Sequence, residues 1–457
     1  MTNSALLATT LLFVSACEKA PAKQSRLFTD DELAALETRV LAEVNKSTPD
    51  CIRPEALALW KPTGALAACV KECDVLDYGA DHRKPIRRDE LFRIATPEAT
   101  ALDAKCGALA TAAFERAADK PGCSPFQIGV DNGGGVSAVL PRFHLLHLLS
   151  RHALAEGDRA SGAHSLVAAL QAFQDHARGR TNGIPLMTAS SARSSLASGL
   201  LELLADAQLT RSDLDALATS LDHLIASEPP PHEMLQADAA DMAFAYGLVP
   251  LKGPSWSVPG GRTELMESSL RPSMSHDPRD AAGIMMMYGL ESGERLRTAC
   301  PPTASHRECF DHLKATAHTT PAAHDADLLD RPRKDDAATR ARVKREIVDT
   351  YFSSNDHAHS IARFAKDIVL LVTLRLRIEI LRNGRCPTAA ELDVPPYSTL
   401  RAPSALGDSI PVTPVDHALR VDLPAWARDE IEQDCTNRKP SFPPCPPPPN
   451  IISLPCP

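Results

Sequence analysis

Apolar residues return every three or four positions along most of this chain, and that rhythm restricts it to helices. Leu214, Leu217, Leu221 and Leu224 recur at 3-4-3 spacing after Thr210-Arg211-Ser212-Asp213, so one helical face is apolar and its first turn carries a cap. Thr29-Asp30-Asp31-Glu32 reads as a capping box opening a stripe of Leu33, Leu36, Val40 and Val44. Further stripes run through Leu196, Leu200, Leu203 and Leu204, and through Ile361, Phe364, Ile368, Leu371, Leu374, Ile378 and Leu381. The last overlaps residues 374–380, which alternate apolar and polar as a strand would, ahead of Asn383-Gly384. Its length and unbroken 3-4 spacing favour helix, with Gly384 as the stop. Aromatic residues are only 4% of the 457, and the apolar content is mostly Ala and Leu, which favour helix. The expected class is mainly α.

Twelve cysteines are more than a reducing compartment normally tolerates, so the chain predicts disulfides and an oxidising environment. They fall in groups: Cys51, Cys69, Cys73, Cys106 and Cys123; Cys300 and Cys309; Cys386, Cys435, Cys445 and Cys456. Setting Cys17 apart leaves 12 − 1 = 11, an odd number, so at least one thiol stays unpaired or pairs between chains. A formal charge of −9, with no Lys/Arg run among aromatics, argues against a nucleic-acid partner, because neutralising phosphates needs a basic face.

The apolar run from Ala5 to Val14 is too short to span a bilayer and has the length of a signal-peptide core. Val14-Ser15-Ala16-Cys17 resembles the lipobox of bacterial lipoproteins: a branched apolar residue, two small residues, then cysteine. The resemblance implies cleavage before Cys17, with lipid on its thiol and its new amine. Two or more acyl chains make anchoring stable where one is marginal. It also implies the cell envelope, and Glu18 at the next position implies passage to the outer membrane.

The organisation expected is a signal peptide over 1–16, a tether over 17–30, a Cys-rich helical subdomain over 31–128 and a helical-hairpin array over 136–250. A loop-rich insertion over 251–335 follows, rich in Pro, Gly, Ser and His and pinned by Cys300 and Cys309. Long helices with a small cap fill 336–435, and a Pro-rich tail runs over 436–457. Leu145, Leu148 and Leu149, a break at Gly157, a cap at Asp158, then Leu166, Leu170 and Phe173 make an αα-hairpin. Its length and pattern resemble a tetratricopeptide unit. The tail reads as polyproline-like and tied back by disulfides.

Catalytic and metal signatures fail one by one. Pro231-His232-Glu233-Met234 opens like a zinc-protease helix, but position 236 is Gln. Asp356-His357-Ala358-His359 reads as a first helical turn, in which residues two apart diverge. Residues 133–135 are glycines without a following Lys-Ser/Thr, and Ser137 lacks the second glycine of a nucleophile elbow. No catalytic residue, cofactor or metal ligand is assigned. The expected function is a lipid-anchored extracytoplasmic interaction or scaffold module with a protein or peptide partner. The alternative is a hydrolase whose site is built from 251–335, with His276, Asp277, His306, His357 and His359 as its candidate groups.

Overall fold

A computed structural model describes residues 26–45, 53–78, 97–120, 140–155, 158–177, 183–205, 209–252, 278–316, 337–351, 354–437 and 451–457. Cys17, Cys51, Cys123, Cys445, His276 and Asp277 lie outside them, as does the side chain of Cys435.

The described chain is mainly helical. In order come α1 (Asp30–Asn45), α2 (Pro54–Trp60), α3 (Gly64–Tyr78), α4 (Pro97–Asp119), α5 (Leu140–Ala155), α6 (Arg159–Ala177), α7 (Gly183–Leu203) and α8 (Arg211–Ala226). Then α9 (Pro231–Asp241) runs through a π-helical segment, Met242–Leu248, into α10 (Val249–Lys252). Next are α11 (Pro278–Ala299), α12 (His306–Ala315), α13 (Ala337–Tyr351), α14 (Ser354–Asn383), α15 (Ala389–Leu392) and α16 (Tyr397–Arg401). Strands β1 (Val412–Val415) and β2 (Ala418–Asp422), α17 (Ala425–Asn437) and β3 (Ile451–Pro455) close the chain. No helix among the described residues is long and apolar enough to cross a membrane.

The caps expected from sequence form. Thr29 and Glu32 close a reciprocal box at α1, and Thr210 and Asp213 do so at α8. Asp158 accepts from the Ala160 and Ser161 amides at the start of α6. Each satisfies amides that a helix start otherwise leaves orphaned.

The strand-like alternation of 374–380 lies inside α14, and burial explains it. Leu374 and Ile378 face one core, built with α4–α8, while Leu376 and Ile380 face another, built with α12, the sheet and α17. All seven residues are buried, with Arg375, Arg377 and Glu379 at the seams. A helix sandwiched between two cores is apolar on two opposite sides, and its sequence then mimics a period of two. Gly384 ends it at φ 64°, a conformation only glycine adopts cheaply.

A third core joins α1, α9, the π segment, α11 and α13. The chain enters it through Leu27 and Phe28, whose backbone amides both donate to the buried Asp280 carboxylate at 2.8–3.1 Å. Lys344 lies 4.4 Å over the Phe28 ring. These contacts fix α1 against α11.

Two segments differ from their sequence reading. Where 251–335 is described, it holds the helices α11 and α12 rather than loops. Ala281, Ala282, Gly283, Gly289 and Gly293 make α11 a close-packing helix that composition mistakes for a loop. The tail is tied back as expected, by Cys386–Cys456, but Ile451–Pro455 is a hydrogen-bonded strand and not polyproline. It completes an antiparallel sheet of order β1-β2-β3, with Val412 opposite Val421 and Leu419 opposite Leu454.

Three cysteine pairs form among the described residues: Cys69–Cys106, Cys300–Cys309 and Cys386–Cys456. Cys73, one turn beyond Cys69, is a buried thiol whose Sγ donates to the His144 carbonyl at 3.7 Å.

Candidate functional site

Three helices of the third core leave a surface cleft of about 140 Å³ between them. Each supplies a pair of residues one turn apart, and therefore on one face: Arg39 and Glu43 from α1, Gln236 and Ala240 from α9, Gly289 and Gly293 from α11. Ala42, Leu290, Glu294 and Arg297 complete the lining. The glycines create the shape. A Cβ on Gly289 would stand 2.5 Å from the Ala239 carbonyl oxygen, so any side chain there would push α9 off α11.

The floor is small and apolar, and the rim is charged. Arg297 pairs with Glu294 and lies 3.8 Å from Glu43. Among the described residues, the Arg39 guanidinium and the Gln236 carboxamide have no hydrogen-bond or ion-pair partner. One position beyond Ala240, Asp241 stands where α9 widens into the π segment. Burial, with the Asp238 charge beside it, pushes its carboxyl up to about 7. Such wide turns recur at functional sites.

A second polar cluster is sealed inside the protein. Arg193 of α7 donates to Glu228 at 2.7 Å, and its Nη1 lies 3.7 Å from Asp367 of α14, which accepts from Ser190 at 3.1 Å. Burial alone would lower Arg193, but the Glu228 and Asp367 charges more than offset it and hold the guanidinium protonated. Burial pushes Asp367 up to about 6 despite the Arg193 charge. His306, fully buried, bonds the Ala405 carbonyl through Nδ1 at 2.8 Å; burial lowers its pKa and keeps the ring neutral. A carbonyl only accepts, so Nδ1 carries the proton.

Among the described residues, the candidate histidines His306, His357 and His359 do not form a metal-binding group. His306 is committed to the loop at Ala405, and His357 and His359 lie in the first two turns of α14. Among the described residues no group of three or more His, Cys, Asp or Glu side chains could hold a metal ion. Sequence reasoning missed the cleft. Its one local signal was the pair of glycines four apart, Gly289 and Gly293, inside a segment read as loop.

Fold and sites together define a mainly α, disulfide-stapled protein organised around one helix buried between two cores, with a small charged-rim cleft on a third. No protein-family model, curated protein or solved structure matches this chain.

Proposed function

We propose that this chain is a lipid-anchored protein of the bacterial cell envelope, carried to the outer membrane, whose helical body is an interaction module for a protein or peptide partner. The observation that carries the address is the pairing of six cysteines into three disulfides, which persist where glutathione does not reduce them. The lipobox-like Val14-Ser15-Ala16-Cys17 supplies the anchor, and the polar stretch after Cys17 supplies the tether. Support for an interaction role comes from helix packing. α5 and α6 pack as a hairpin, α7 packs on α6, and α8 joins them, an arrangement that a tetratricopeptide-like array would present to a partner.

Membrane fractionation with radiolabelled palmitate tests the address. Wild-type protein should sediment with membranes and carry label, and Cys17→Ser should do neither. A Cys17→Ser protein that stays membrane-bound and labelled overturns the anchor. Thiol titration under denaturant should find one to a few thiols in the mature chain; the full set of 12 − 1 = 11 overturns the compartment.

A further inference from the structure

We propose that the cleft between α1, α9 and α11 is a binding site for a small aliphatic α-carboxylate, either a free amino acid or the C-terminal residue of a peptide. The inference does not rest on the lipid anchor and stands or falls separately from it.

Recognition of the carboxylate falls to Arg39. Its guanidinium lines the cleft with no partner among the described residues, and a planar fork of donors matches a carboxylate in two parallel hydrogen bonds. Gln236, equally uncommitted, lines the same cleft and offers both a donor and an acceptor. The remaining rim charges are Arg297, Glu43 and Glu294. Two guanidiniums against two carboxylates sum to zero, so the cleft has no net charge to attract an anion from a distance, and recognition falls to the directed hydrogen bonds of Arg39 and Gln236. An inorganic anion gains little there. Arg297 and Glu294 form an exposed pair, which contributes little, so Glu294 can turn to an ammonium at small cost where the guest carries one.

Size sets the side chain. A volume of about 140 Å³ is close to the ~150 Å³ of a cavity that holds one benzene. That admits three or four carbons over Ala42, Ala240 and Gly293 and leaves no room for a nucleotide. Because each helix contributes a pair one turn apart, the charged groups sit on rigid supports, as a preformed small-ligand site requires.

The test is calorimetric or NMR titration of the full-length protein with L-valine, N-acetyl-L-valine, glycyl-L-valine and L-valinamide. L-valine or its acylated forms should bind with Kd on the order of 0.1–1 mM, a range set by the few atoms such a guest contributes. L-valinamide, which lacks the carboxylate, should bind at least tenfold more weakly. Arg39→Ala, on an exposed position, should lose at least tenfold in affinity without a change in melting temperature, and Arg39→Lys should recover part of it. Equal binding of L-valine and glycyl-L-valine identifies a peptide C-terminus as the guest, and binding of L-valine alone identifies a free amino acid. Valinamide binding as tightly as valine overturns the proposal. So does the failure of every probe at about 10 mM, or an Arg39→Ala protein with unchanged affinity.

Discussion

Arg193 and Glu228, 35 positions apart in sequence, meet at 2.7 Å with side chains 4% and 2% exposed. Two charges taken out of water cost several kcal/mol each, and the contact offsets that only while both partners remain. Glu228→Ala should therefore destabilise the protein by as much as about 3–5 kcal/mol, because it leaves the buried guanidinium with only the more distant Asp367, at 3.7 Å, as counter-charge. Arg193→Met combined with Glu228→Leu should cost much less than the two single changes summed. Urea midpoints for the four proteins check this. A Glu228→Ala cost under about 1 kcal/mol would mean that the pair is not buried as described.

Asp367 makes the same cluster sensitive to pH. Its carboxyl is held up to about 6, above the 3.8 of a free aspartate, chiefly by burial. The folded state therefore binds a proton more tightly than the unfolded chain. The stability this confers is present below the ordinary aspartate range and is lost as pH rises towards and through 6. At about 1.4 kcal/mol per pH unit, the loss is on the order of 3 kcal/mol. His306 opposes it, since its lowered pKa confers stability that is lost as pH falls below the normal histidine range. Arg193, Glu228, Ser190 and Lys366 are the other polar groups that act on Asp367. Asp367→Asn removes only the first contribution, so its stability relative to wild type should rise between pH 4.5 and pH 8. Denaturant titration at both pH values measures this, and a difference that does not change with pH contradicts it.

These groups also mark where the sequence stops being readable. Caps at Thr29, Asp158 and Thr210 were legible because each is closed within three residues. The stripe from Ile361 to Leu381 was legible as a helix for a similar reason, and burial on two sides then accounts for its alternation. The sheet was not legible, since strands of four or five residues carry too few alternations, and β3 hides in a proline-rich tail. The buried cluster joins residues 190, 193, 228, 306 and 367 through tertiary packing alone, and no spacing encodes that. The cleft escaped notice because glycine and alanine shape it, and small residues leave no apolar period to count.

The same tail supplies the last prediction. Cys386, just past the end of α14, is bonded to Cys456, closing a loop of 70 positions, and β3 is held between that bond and β2. Arg377 donates to the Pro455 carbonyl at the strand's end, so a buried helix and a disulfide grip adjacent residues there. In the chain-entropy account, closing a loop of that size is worth about 4 kcal/mol, and typical measured values run about 2–4. Cys386→Ser with Cys456→Ser should lower stability by that amount. Because β3 is an edge strand, its loss also uncovers the backbone of β2 and the inner face that Leu454 covers against Leu419. Amides of β2 and β3 should then exchange faster in the double variant, while those of α14 stay protected. Equal exchange in both proteins would show that side-chain packing, without the disulfide, is enough to hold the strand in place.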